Sequence, residues 1–205
     1  MVEEAPILFF ELPEIKRNLP DTLSLREIEI FLDMPDLSTL KGLRDRAILE
    51  VLYGAGLKAT ELINLKVRDA DLTRGYIRVK ERNGSEREVP IGNYAIESIE
   101  NYLSKREDNI SPASALFPSS RNEAMSRQGL WKILKGYEEM SNIDQNININ
   151  TLRHSYAVHM LEGGADLNTV SNLMGHKDVN STAVYLKLVK NKKIKEVYKN
   201  SHPRA

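Results

Sequence analysis

The chain has 205 residues, 41% of them hydrophobic, which is enough for the buried core of one ordinary domain or of two small ones. Lys and Arg number 29 and Asp and Glu number 29, so the net charge alone does not indicate a nucleic-acid partner. The absence of cysteine excludes disulfides and thiolate metal sites, and neither a membrane-spanning apolar run nor a secretory signal pattern is present. We therefore predict a cytoplasmic protein without a membrane segment.

The charges are unevenly distributed along the chain. Near the C-terminus, Glu196 is the single acidic residue among a run of basic ones: Lys187, Lys190, Lys192, Lys193, Lys195, Lys199 and Arg204. Two interpretations stay open, a solvated helix face and a surface that contacts phosphates.

The N-terminal part predicts a linker followed by helices. Residues 1–18 carry two prolines and only a short apolar patch. Ser24 followed by Glu27 is the pattern of a capping box and predicts a helix that Pro35 ends. Apolar residues at helical spacing across 43–53 predict a second helix, and a further helical turn is predicted at 60–65.

In the middle of the chain the pattern changes from helical spacing to short β-type segments, which predicts two short strands. Residues 76–79 and 87–89 are the strands, and the dipeptide Asn83-Gly84 between them is a strong hairpin signal. The remaining segments read as helices at 95–103, from Ser126 to Tyr137, from Thr151 to Leu161, from Asp166 to Met174, from Ser181 through Tyr185, and at 192–198. The fold class is therefore α+β, mainly helical, with a small antiparallel sheet.

Three residues near the C-terminus carry the chemistry of phosphoryl transfer. Arg153 can hold a phosphate with a bidentate fork, and the dipole at the start of its helix would help it. His176 can donate to a phosphoryl oxygen or move a proton. Tyr185, nine residues later, can attack phosphorus and hold the product as an ester.

At these residues the chain resembles the tyrosine recombinases, with the Xer branch as the best match. The resemblance begins near Leu19 and includes segments in matching order: Leu43-Arg44-Asp45-Arg46-Ala47, Gly54-Ala55-Gly56-Leu57, Glu61-Leu62, Glu86-Arg87-Glu88-Val89-Pro90, Leu116-Phe117-Pro118, Thr151 to Leu188 and His202-Pro203-Arg204-Ala205. It implies a catalytic-domain fold with a three-stranded antiparallel sheet over 19–188. A basic C-terminal helix and tail at 189–205 would be exchanged between protomers.

The resemblance also implies an activity. A tyrosine recombinase cuts double-stranded DNA through a 3′-phosphotyrosyl intermediate and rejoins it without a metal or other cofactor. Dimer resolution of chromosomes and integration are the reactions of this branch. Family members of this type carry a separate helical N-terminal domain, whereas here only the linker precedes the catalytic-like part, which predicts an excised or lone catalytic domain.

Three positions depart from the family pattern. Lys58 stands where the family has its first clamp arginine, Arg82 where it has a lysine that protonates the leaving oxygen, and Asn150 where it has histidine or lysine. Lysine keeps the charge but loses the fork, and arginine is a poor general acid. Lys80, two residues before Arg82, would project from the same strand face and could replace it.

These departures leave three functions open. The first is an active recombinase whose catalytic residues would be Tyr185, Arg153, His176, Lys58, Lys80, Arg82 and Asn150. Of these, Lys58, Arg82, Arg153 and His176 would also bind DNA. The second is a catalytically impaired DNA-binding or regulatory protein on the same scaffold. The third is an interaction module whose C-terminal helix, through residues such as Val189, docks on a second copy or a partner recombinase.

Overall fold

The computed structural model describes residues 19–81, 84–106, 110–119, 121 and 123–189. The elements are α1 Leu25–Leu32, α2 Leu40–Ala55, α3 Ala59–Asn64, β1 Ala70–Asp71, β2 Tyr76–Lys80, β3 Glu86–Pro90, α4 Asn93–Lys105, α5 Arg127–Met140, α6 Ile149–Glu162, α7 Leu167–Met174 and a helical stretch over 180–189, here α8. The predicted mainly helical α+β class with a small three-stranded antiparallel sheet is confirmed. The linker, Arg82, the Asn83 turn position and the helix predicted at 192–198 lie outside the described residues.

Several helix starts follow from the local sequence. Ser24 Oγ accepts the backbone N–H of Glu27 at 3.3 Å, and the Glu27 carboxylate accepts the backbone N–H of Ser24 at 2.7 Å. This is the predicted capping box at the start of α1. Ser126 and Asp166 cap α5 and α7 in the predicted positions. Short polar side chains thus satisfy backbone donors that the helices leave unpaired.

Two predicted N-caps are wrong by a few residues. α6 is capped by Asn148, whose side chain accepts two backbone N–H groups of the first turn, and Thr151 lies inside the helix. α8 is preceded by Asp178, whose carboxylate accepts a first-turn N–H at 2.9 Å, and Ser181 again lies inside. In both cases an Asx residue a few positions earlier is the better cap, because its side chain reaches the first-turn donors.

The sheet has the strand order β1-β2-β3, with antiparallel pairing throughout. Lys80 pairs with Glu86, and Val79 pairs with Arg87, so Lys80 and Arg87 point to opposite faces. Val79 is buried against the domain, and Lys80 is exposed on the outer face. Arg87 is therefore a charged residue on the inward face of an otherwise apolar strand pair.

The core has two parts that meet at α6. α2 lies centrally, packs on α4 and α6, and buries side chains around most of its circumference. A second cluster joins α6, α7 and α8, with the buried side chains Tyr156, Ala157, Val158, Leu161, Val170, Met174, Tyr185 and Val189. The C-terminal ends of α2 and α7 are brought together between these two parts.

Two glycines allow this approach. Gly56 ends α2 with φ +56°, and Gly175 ends α7 with φ +63°, both in the left-handed region. A Cβ at Gly56 would lie 2.4 Å from the ring of Tyr156, and one at Gly175 would lie 2.7 Å from the guanidinium of Arg87. Both helix ends therefore need a residue without a side chain.

Candidate active site

Arg153 lies at the centre of the site, on the α6 face that turns toward the ends of α2 and α7. It is buried, and its guanidinium donates to the carbonyls of Gly56 and Met174, the latter at 2.6 Å. Carbonyls at helix C-termini lack intrahelical partners and carry partial negative charge, so a cation stabilises them. The positive charge thus binds two helix C-termini, and the predicted help from the start of its own helix is not the main interaction.

Lys58 adds a second cation from the loop between α2 and α3. Its side chain is 47% exposed, and its Nζ donates to the carbonyl of Gly175 at 3.2 Å. The same ammonium lies 3.8 Å from Oε1 of Glu61. Lys58 therefore lies against the turn that carries His176 and keeps contact with solvent.

His176 follows that turn and is held from two sides. Its backbone N–H donates to the carbonyl of Ser171 at 3.0 Å, and its Nδ1 lies 2.7 Å from Oγ1 of Thr182 in α8. Burial, followed by the positive charges of Arg153 and Lys58, lowers the pKa of His176 to about 4. The imidazole is therefore neutral near pH 7 in the free chain.

We expect the ring protons of His176 to titrate with a midpoint near pH 4 in the folded chain. The unfolded chain takes up this proton near pH 6.5, so this group lowers the free energy of unfolding as pH falls from about 6.5 to 4. NMR titration measures the midpoint, and His176→Gln assigns the signal and removes this contribution from the pH dependence of urea unfolding. A midpoint near 6.5 would contradict the buried, cation-surrounded environment.

Tyr185 lies in α8 and is only 4% exposed. Its ring lies 5.7 Å from the ring of His154, centroid to centroid, within the second core cluster. Burial raises the pKa of the Tyr185 hydroxyl, and the nearby charge of Arg153 acts in the opposite direction. The phenol is thus protonated at neutral pH and has one positive side chain as its electrostatic support.

The other predicted site residues lie farther out. Asn150 is exposed in the first turn of α6, one turn before Arg153, so the two positions are neighbours on the helix surface. Lys80 lies on the outer face of the hairpin, 3.7 Å from Glu86. Arg82 falls outside the described residues, and the roles of all three residues stay predictions.

Arg87 and Glu61 belong to the same cluster, and the sequence reasoning missed their roles. Arg87 donates to both carboxylate oxygens of Glu61 at 3.0 Å each and to the carbonyl of Leu173 at 3.0 Å. Burial favours the neutral form of Glu61, but hydrogen bonds from Arg87 and from the backbone of Lys58 outweigh it and lower the pKa of Glu61. The sequence did contain one indication of this role, because Arg87 is a charged residue at a strand position that faces the core.

Among the described residues, no three His, Cys, Asp or Glu side chains are arranged to hold a metal ion. Within those ranges, no helix combines the length and the apolar character needed to cross a membrane.

Comparisons with known proteins identify the family of this chain. The model of the phage integrase family matches residues 22–192. Tyrosine recombinase XerD of Staphylococcus epidermidis is 39% identical over 203 residues, covering 98% of this chain and 68% of that protein. Tyrosine recombinase XerC of Pelotomaculum thermopropionicum is 40% identical over 212 residues, covering 100% and 69%.

Solved structures give the same result for the fold. XerA recombinase superposes with a TM-score of 0.77 at 24% identity, covering 95% of this chain and 68% of that chain. XerH site-specific recombinase bound to difH substrate, a pre-cleavage complex, has a TM-score of 0.73 at 25% identity and covers 82% and 51%. The chain therefore belongs to the phage integrase family, as a Xer-like tyrosine recombinase catalytic domain, an enzyme class that performs site-specific DNA recombination by strand cleavage and rejoining. The non-catalytic alternative is not favoured.

Proposed function

We propose that this chain binds double-stranded DNA and cleaves one strand through Tyr185. The phenol of Tyr185 gives its proton to solvent as its oxygen attacks the scissile phosphorus. The bond from phosphorus to the 5′ oxygen breaks, and that oxygen takes up a proton and leaves as a hydroxyl. A 5′ hydroxyl of a second strand then attacks the phosphotyrosine, which releases Tyr185. The bond energy is kept in the ester, so the reaction needs no cofactor.

The convergence of positive groups on one turn carries this proposal. Lys58, Arg87 and Arg153 all donate to carbonyls of residues 173–175, and the two carboxylates that lie near them are those of Glu61 and Glu81. A phosphate placed beside this turn would meet an excess of positive charge in a partly buried region, where charge interactions are stronger than in water. Neutral His176 adds a hydrogen-bonding group at the same place.

The individual roles follow from exposure. Lys58 is half exposed and can contact a non-bridging oxygen directly, as a point charge. Arg153 supports the phosphate and the phenolate of Tyr185 from the buried side, while His176 donates to a phosphate oxygen. Tyr185 has to move toward the surface with part of α8, because a side chain that is 4% exposed cannot reach a DNA backbone.

We assign the donation of a proton to the leaving oxygen to a residue of the hairpin formed by β2 and β3. Lys80 is the better general acid by chemistry, because an arginine such as Arg82 holds its protons too tightly. Lys80 would have to leave Glu86 and turn from the outer face of β2 toward the DNA. Asn150 would contribute a hydrogen bond beside Arg153.

Covalent capture tests the function. We expect wild-type chain, mixed with nicked duplexes of random core sequence, to give a weak protein–DNA adduct on a denaturing gel. Restoring Lys58→Arg, Arg82→Lys and Asn150→His together should raise the adduct yield by roughly a hundredfold, because a fork, a general acid and a proton donor are returned. DNA binding without adduct in both proteins would contradict cleavage and favour a regulatory DNA-binding function.

We further propose that copies of this chain, or this chain and a partner recombinase, associate on DNA through the C-terminal helix, and that the protein acts in the cytoplasm. Val189, 7% exposed at the end of α8, belongs to the second core cluster and precedes that segment in the sequence. Mass measured at increasing protein concentration, with and without duplex, tests the association. A mass that stays monomeric in both would contradict it.

A further inference from the structure

Arg87 connects three segments of the site. Its side chain is 11% exposed, and it reaches from β3 to the carboxylate of Glu61 in α3 and to the carbonyl of Leu173 near the end of α7. Its guanidinium also lies directly against Gly175 and 3.6 Å from the carboxylate of Glu81. A single buried cation thus fixes α3 and the turn before His176 relative to the hairpin.

The pairing of Arg87 with Glu61 has a consequence for Lys58. Glu61 is buried, with its side chain 7% exposed, and both of its oxygens accept short hydrogen bonds from Arg87. The ammonium of Lys58 lies 3.8 Å from the same carboxylate and donates to the carbonyl of Gly175 instead. Since bidentate guanidinium pairs are stronger than a distant ammonium contact, Glu61 is neutralised by Arg87.

We propose that Arg87 is a positioning residue that keeps the positive charge of Lys58 available to a DNA phosphate. It does so by occupying Glu61 with two hydrogen bonds and by holding the turn at Gly175. Without Arg87, Glu61 would be a buried carboxylate without its guanidinium, and a short movement would bring Lys58 into a close ion pair with it. This inference rests on the proposed contact between Lys58 and phosphate.

The salt dependence of DNA binding tests the inference without requiring cleavage. Each phosphate contact adds about 0.9 to the slope of log Kobs against log salt concentration. For the full chain on a 30-base-pair duplex, we expect Lys58→Met to reduce this slope by about 0.9. Arg87→Ala should reduce it by a similar amount, the double variant by no more than Lys58→Met alone, and Arg87→Ala with Glu61→Gln should restore it.

The control is a second arginine that neutralises a buried glutamate elsewhere. Arg46 lies 2.8 Å from Glu50, with side-chain exposures of 17% and 7%, close to those of Arg87 and Glu61. Arg46→Ala should lower the melting temperature as Arg87→Ala does and leave the salt slope unchanged. All slopes are measured roughly 10 °C or more below each variant's transition, so that every variant is folded during the titration.

Each other outcome overturns the inference in a recognisable way. A slope unchanged by Arg87→Ala would leave Arg87 with a structural role only. Slopes that fall additively in the double variant would mean that Arg87 contacts a phosphate itself. A slope unaffected by Lys58→Met would remove the phosphate contact on which the inference rests, and absence of DNA binding by the wild-type chain would contradict the proposed function as well.

Discussion

Tyr185→Phe is expected to abolish the covalent protein–DNA adduct, a loss of roughly a thousandfold or more. The substitution removes one oxygen and keeps the ring that packs in the second core cluster and lies against His154. The free energy of unfolding should therefore change by less than about 1 kcal/mol. Adduct formation is measured on the same pool of nicked duplexes, with the restored triple variant as the starting protein so that the loss is large enough to quantify.

The control is a second buried tyrosine near the same arginine. Tyr156 is 6% exposed and packs over Gly56, and Arg153 acts on the pKa of its hydroxyl as it does for Tyr185. Tyr156→Phe should leave the adduct in place. An adduct that survives in Tyr185→Phe and disappears in Tyr156→Phe would identify Tyr156 in α6 as the nucleophile.

Arg153→Ala is expected to reduce cleavage by about two to three orders of magnitude, because the positive charge beside the phosphate and the phenolate is lost. It should also lower the free energy of unfolding by about 1–3 kcal/mol, since the carbonyls of Gly56 and Met174 lose a buried donor. Arg153→Lys should recover part of the stability but not the cleavage rate, because an ammonium cannot reach both helix ends at once.

Arg106 provides the matched control for this substitution. Its guanidinium also donates to two backbone carbonyls, those of Ala115 and Leu116, in another part of the domain. Arg106→Lys should lower stability and leave the adduct rate unchanged once the chain is folded. Equal cleavage losses in Arg106→Lys and Arg153→Lys would mean that Arg153 acts only through the fold.

Elements of the fold could be predicted from the sequence where they depend on residues close together in the chain. The capping box of Ser24 and Glu27 and the cap by Asp166 involve residues three positions apart, so the sequence pattern defines the geometry. The third strand, β1 at Ala70–Asp71, could not be located, because two residues have no alternation and the strand exists through its pairing with β2.

For the candidate site, the sequence likewise predicted which residues are present but not which contacts they make. The order of residues along the chain determined which side chains are present: an arginine, a histidine and a tyrosine at recombinase spacing, and the replacements Lys58, Arg82 and Asn150. Spacing could not reveal that Arg153 binds the carbonyl ends of two other helices. Its partners Gly56 and Met174 lie 97 and 21 positions away in the chain.

The sequence by itself determined the family, the helical and strand segments and the reactive groups, because propensity, capping and motif spacing depend on neighbouring residues. Only the tertiary structure decided which charges compete. Arg87, Glu61 and Lys58 meet at one turn because β3, α3 and the end of α7 pack together there, with contacts that span 26 to 117 positions. Which cation neutralises the buried carboxylate depends on distances of 3.0 and 3.8 Å, and these are set by packing.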